Sequence, residues 1–212
     1  MFPFLSDLDE FFCETFANYD KLCGLDGYKP PVIQATKTDE FGRTVSYTLP
    51  MNEMALSKQE KKETLLVALK EKICDVEFSF PVCHLGFFAQ IGQAFSKKSF
   101  RRAWRKFCEG KRLKQEDVLA QINVSKSTYL EIIKGRALPC KSLVYSFALA
   151  FGASVEETLQ LLSACDYGFD FTKEREVVVY YLLHQRVYNR EMMNAALKEY
   201  KVRNLYLREE NA

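Results

Sequence analysis

The sequence is short of the residues on which most enzymes and secreted scaffolds depend. It has two histidines, His84 and His184, and one tryptophan, Trp104. It contains no glycine-rich phosphate loop, no nucleophile elbow and no histidine or cysteine cluster at metal spacing, so a non-enzyme without cofactor or metal is expected. The seven cysteines are odd in number and include no C-x-x-C pair, which fits reduced, mostly buried thiols rather than a disulfide framework. Adjacent Cys83 and His84, with Cys74 upstream, match no zinc pattern. No run of eighteen uncharged apolar residues exists to span a bilayer, so no membrane partner is expected. The opening MFPFLSDLDEFF carries acids where a signal or transit peptide carries bases, and the expected location is cytoplasmic and nucleoid-associated.

What is present points to a globular protein. The 212 residues, 48% hydrophobic and 27% charged, suffice for one large or two small domains with cores of their own. The net charge of +2 hides a strong asymmetry. Residues 96 to 136 hold twelve Lys and Arg against four acids, whereas residues 1 to 31 hold two Lys against six acids. A basic block can be a solvated helix face, or it can concentrate contacts to a phosphate backbone, each adding about 0.9 to the slope of log affinity against log salt.

Within that block, residues 114 to 136, KQEDVLAQINVSKSTYLEIIKGR, read as two short helices joined by a tight turn. Val118 and Ile122 recur on one helical face, and Tyr129 and Ile132 recur on the next. Asn123 stands at the turn, where a left-handed backbone is expected, because asparagine tolerates that region best after glycine. Ser125 is placed to cap the second helix and Gly135 to stop it.

These residues resemble the helix-turn-helix of the phage-repressor-like, or XRE, family, and the flanks extend the resemblance over residues 99 to 165. The family order is a first helix, a Gln-led second helix, a Ser- or Thr-capped recognition helix ending in a Gly-Lys/Arg-x-x-Pro turn, and two further helices. Its counterparts here are SFRRAWRKFCEGKRL, KQEDVLAQIN, SKSTYLEIIKGRALP, KSLVYSFALAFG and SVEETLQLLSA. The resemblance implies that Gln115 meets phosphate or a base edge and that Ser125, Lys126, Ser127, Thr128 and Glu131 lie at the major groove. It further implies that Lys114, Lys134, Arg136, Arg101 and Arg105 hold the phosphate backbone of double-stranded DNA. Two positions depart from the pattern: Leu119 replaces the usual small alanine, which implies wider helix packing, and Asn123 replaces the turn glycine.

Elsewhere the chain reads as follows. Residues 6 to 24 form an amphipathic helix with Ser6 as cap and Gly24 as stop. VIQATKT and RTVSYTLP flank DEFG as a hairpin with Gly42 in its turn, and residues 57 to 73 form a helix with a capping box from Ser57 to Glu60. Val76, Phe78 and Phe80 alternate as a short strand does; this segment is expected to join the hairpin, the other arrangement being an apolar connector on the helical domain. Residues 84 to 95 resume a helical pattern. After the five-helix unit, TKEREVVVYYLLHQ and NREMMNAALKEYK read as a helical hairpin capped by Thr172 and Asn189, with VVVYYLL too apolar to stay solvated. His184 reads as a helix-end charge or packed residue, and the tail LYLREENA is expected to fray.

The expected architecture is therefore mainly α, α+β overall. Residues 1 to 95 form a small α+β region for dimerisation, sensing or a protein partner. Residues 96 to 168 form the five-helix repressor-like domain, and residues 169 to 212 a helical hairpin packed on it. The expected function is sequence-specific DNA binding as a homodimeric transcription regulator of bacterial or mobile-element type. The alternative is a protein-interaction adaptor, an antitoxin or inhibitor, that reuses the same helical fold.

Overall fold

The computed structural model describes residues 3–17, 34–38, 44–48, 63–64, 66–68, 70–71, 73, 82–95, 99–202 and 205–208. The chain divides into two compact units, Pro3–Ile73 and Cys74–Ala212. It is mainly helical, with two small antiparallel sheets of two strands each. No described helix is long and apolar enough to cross a membrane.

In the first unit, helix α1 (Phe4–Phe12) buries Leu5, Leu8 and Phe12, spaced three and four apart, and continues as a π-helical turn, Cys13–Ala17. It starts earlier than expected. Ser6 is not its cap but sits in the first turn, where its amide donates to the Pro3 carbonyl at 3.1 Å. Strands β1 (Gln34–Thr38) and β2 (Thr44–Thr48) pair antiparallel with Thr36 opposite Ser46, which is the expected hairpin. Its DEFG turn, the Ser57 to Glu60 capping box and residues 18 to 24 of the first expected helix lie outside the described residues. Helical residues follow at 63–64, 66–68 and 70–71, and Lys70 reaches Asp9 on α1 at 2.8 Å.

The second unit opens with β3 (Val82–His84), which pairs not with the hairpin but with β4 (Ala137–Pro139), Cys83 opposite Leu138. The expectation of joining the hairpin concerns Val76 to Phe80 and not residues 82–84. The alternation at Val76, Phe78 and Phe80 lies outside the described residues. Helix α2 (Phe87–Phe95) follows β3.

Helix α3 (Phe100–Lys111) is capped by Ser99 and buries Phe100, Trp104 and Phe107. It ends in a Schellman turn: Arg112 is left-handed at φ 55°, and the Leu113 amide returns to the Cys108 carbonyl at 2.9 Å. Helices α4 (Gln115–Gln121), α5 (Lys126–Ile133), α6 (Lys141–Ala150) and α7 (Val155–Ser163) then follow at the expected places. The hub is α6, buried from Ser142 through Leu149, as suits a helix apolar nearly all round. Trp104 of α3 packs on Phe147 of α6, ring centroids 4.4 Å apart, and its indole N–H donates to the Tyr129 hydroxyl of α5 at 3.1 Å. One side chain therefore joins three helices.

Helix α8 (Glu174–His184) packs against α6 and α7, burying Val177 to Val179 and Tyr181 to Leu183, and α9 (Arg190–Glu199) packs on α8. The VVVYYLL run, apart from half-buried Tyr180, is thus buried within the chain itself. Asn189 caps α9, accepting from the Met192 amide at 3.1 Å. Thr172 does not cap α8; its hydroxyl donates to Asp170 Oδ1 at 2.6 Å, and Lys173 occupies the cap position without a side-chain bond. Under this hairpin lies a charged core. Glu176, 2% exposed, accepts from Lys141 Nζ at 2.5 Å, Tyr145 Oη at 2.9 Å and the Asp170 amide at 2.5 Å. His184, exposed at the end of α8, stacks on Tyr180.

The tail does not fray where it is described. Leu207 forms an antiparallel bridge with Ile122, between α4 and α5. The Asn123 amide donates to the Tyr206 carbonyl at 2.6 Å, and the Arg208 amide donates to the Gln121 carbonyl at 2.8 Å. Ser146 on the hub helix receives the Tyr206 amide at 2.8 Å, and Arg190 of α9 holds the Arg208 carbonyl.

Candidate nucleic-acid interface

The candidate interface is built on α4, α5 and the four residues between them. Val118, Ile122, Val124, Tyr129 and Ile132 are buried, so the apolar periodicity that orients both helices works as expected. The turn is made differently. Asn123 is not left-handed: the described non-glycine residues with positive φ are Arg112, Asp166, Arg186 and Lys201. Ile122 is extended, φ −110° and ψ 132°, and the amide after it is satisfied by the tail. A strand-like turn that borrows a partner from elsewhere in the chain needs no residue with free access to positive φ.

Ser125 caps α5 as expected, its hydroxyl accepting from the Thr128 amide at 3.1 Å. The same oxygen lies 2.9 Å from Ser127 Oγ and 2.8 Å from Thr128 Oγ1. Three of the candidate contacts thus form one hydroxyl cluster at the helix N-terminus, with Lys126 exposed beside it. Gly135, at φ 74°, ends the helix as expected, the Arg136 amide returning to the Glu131 carbonyl at 2.9 Å. Glu131 also accepts from Arg136 Nη1 at 3.3 Å, so the carboxylate on the exposed side of α5 is held by a neighbouring cation.

The remaining candidates divide. Gln115 is half-buried at the start of α4, next to exposed Lys114, whose amide is satisfied by Asp117 Oδ2 at 2.7 Å. Arg101 and Lys134 line one small hollow at Gly135, so the structure brings α3 and the end of α5 together there. Arg101 and Arg105 also border an open cleft whose floor includes Tyr129 and Ile133, away from the hydroxyl cluster in the first turn of α5. Burial pushes the Tyr129 phenol above its ordinary value of 10.0, while the indole N–H of Trp104 works in the opposite direction.

Two cations were missed. Arg208 stands at the inter-helix turn, its Nε donating to the Ile122 carbonyl at 3.2 Å. Arg112 stands between α3 and α4. The alternation of Leu205 and Leu207 about Tyr206 was the available signal for a short pairing segment at the tail. No family model, curated protein or solved structure matches this chain.

Proposed function

We propose that residues 99 to 165 form a repressor-type helix-turn-helix and that the protein is a dimeric, sequence-specific DNA-binding transcription regulator. The observation that carries this reading is α5: an eight-residue helix fixed by buried Tyr129 and Ile132, with Lys126 and Ser127 exposed in its first turn. A helix of this kind enters a major groove with its N-terminal residues toward base edges. In this reading Lys126 and Ser127 touch bases, Glu131 is kept from repelling phosphate by Arg136, and Lys114, Lys134, Arg101 and Arg105 act on the backbone. One such helix reads only a few base pairs, so two copies on a two-fold site supply the rest.

Replacing Lys126 and Ser127 with Ala tests the assignment. Each good base contact removed weakens the selected site by about 1–3 kcal/mol, with non-specific affinity largely unchanged. Unchanged specificity in both variants refutes the recognition role of α5.

One observation favours the adaptor reading. On α2, Phe87 is 72% exposed and Phe88 86% exposed, with Ile91 beside them at 42%. Exposed aromatic side chains of this size suit a protein contact better than a nucleic acid backbone. The adaptor reading requires a hetero-complex that survives high salt, where phosphate-driven binding is lost.

A further inference from the structure

The second unit contains an open cleft of about 450 Å³ between α3 and α5, within the roughly 300–1,000 Å³ range of small-molecule sites. Its floor is apolar and aromatic: buried Trp104 and Tyr129, tied by their 3.1 Å hydrogen bond, with half-buried Leu113 and Ile133. Its rim carries three arginines, Arg101, Arg105 and Arg112, against one acid, Glu109. That acid is already held by Arg105 Nε at 3.0 Å, and neither Arg101 nor Arg112 forms an ion pair among the described residues. Cys108 on the same wall adds no charge, because burial pushes its thiol up to about 11.

We infer that this cleft binds a small amphipathic carboxylate, its aliphatic or aromatic body on the Trp104 and Ile133 floor and its head between Arg101 and Arg112. The pairing follows from the chemistry of the two surfaces. Guanidinium groups take carboxylates through charge-assisted, often bidentate hydrogen bonds. A bare anion would use the arginines and leave the half-buried Leu113 and Ile133 side chains in water; a neutral hydrocarbon would cover them and leave two cations beside it unanswered. Only a molecule with both parts satisfies the whole cleft. This inference concerns a ligand site and does not require that α5 read DNA, but a ligand held there takes Arg101 from the backbone contacts proposed above.

Trp104 is the only tryptophan in the chain, so the cleft floor carries its own fluorescent reporter. The full-length protein is titrated with decanoate and, in parallel, with acetate and with decanol. A saturable change in Trp104 emission with decanoate is expected, at concentrations at least about tenfold below those at which acetate or decanol acts. The double variant Arg101→Gln, Arg112→Asn is expected to weaken decanoate by at least about tenfold; asparagine is chosen because it tolerates the left-handed backbone at that position. Both side chains are exposed, and circular dichroism of the variant checks that the fold is kept. No saturable response to decanoate, an equal response to acetate or decanol, or undiminished affinity in the folded variant overturns the inference.

Discussion

Arg208 makes two of the tail's connections to the α4–α5 turn, and substitutions there separate them. Its amide donates to the Gln121 carbonyl at 2.8 Å and its Nε to the Ile122 carbonyl at 3.2 Å. Arg208→Ala removes the side-chain bond only. Arg208→Pro removes both, since proline has no amide hydrogen. A net backbone hydrogen bond contributes about 1 kcal/mol, and one to a charged group about 1.5 at the exposed end of its range. Alanine is therefore expected to cost about 1.5 kcal/mol and proline about 2.5, a difference that urea denaturation resolves. For a unit of this size each kcal/mol lowers Tm by roughly 2–4 °C, so the proline variant melts about 5–10 °C lower. Amide hydrogen exchange at Asn123, whose acceptor is the Tyr206 carbonyl at 2.6 Å, reports the same event locally. If both variants unfold at the wild-type urea midpoint and Asn123 keeps its protection, the tail does not hold the turn, and the account of how that turn forms without glycine fails.

Other consequences are checked by related measurements. Glu176→Ala leaves Lys141 without its partner beside a buried, hydrogen-bonded site, and a loss of about 3–5 kcal/mol in urea denaturation is expected. A loss below 1 kcal/mol would contradict the charged core beneath α8. Ser125→Ala removes the cap of α5 and should cost about 1 kcal/mol, largely restored by Ser125→Asp, which supplies an acceptor at the same place. Burial pushes the Cys165 thiol up to about 12 and that of Cys108 to about 11, from an ordinary 9.0. The folded state holds these protons more tightly than the unfolded chain, so their contribution is complete below pH 9 and is lost as pH rises toward 11 to 12. Urea midpoints measured from pH 7 to 10.5 should stay level to about 9 and then fall. Cys108→Ser together with Cys165→Ser should flatten that fall, and an unchanged alkaline limb in the double variant would refute it.

What could be read from the sequence and what could not divide along the range of the interactions. Ser125 and Gly135 were legible because a cap and a left-handed stop act within one helical turn of their own positions. The burial of Val118, Ile122, Tyr129 and Ile132 was legible because helical spacing alone puts them on one face. Asn123 was misread because the atom that satisfies its amide is Tyr206, far along the chain, and no local pattern records such a pairing. Three residues, Val82–His84, are too few to show a strand's alternation, and their partner, Ala137–Pro139, lies far along the chain, just past the end of α5. Ser6 and Thr172 failed for another reason: a hydroxyl residue near a helix start can serve in the first turn or bond a neighbouring aspartate as readily as it caps. At the candidate interface, residues around α5 lie together as expected, whereas the place of Arg101 and Arg105 at a cleft depends on how α3 packs on α5, which side-chain spacing does not specify.

Sequence-specific DNA binding is tested most directly by selecting bound duplexes from a random pool with the full-length protein at two salt concentrations and sequencing them. The DNA-binding account predicts enrichment of one palindromic site, with half-sites about one helical turn apart and affinity that falls steeply with salt. Binding without enrichment, or none at either concentration, would contradict it.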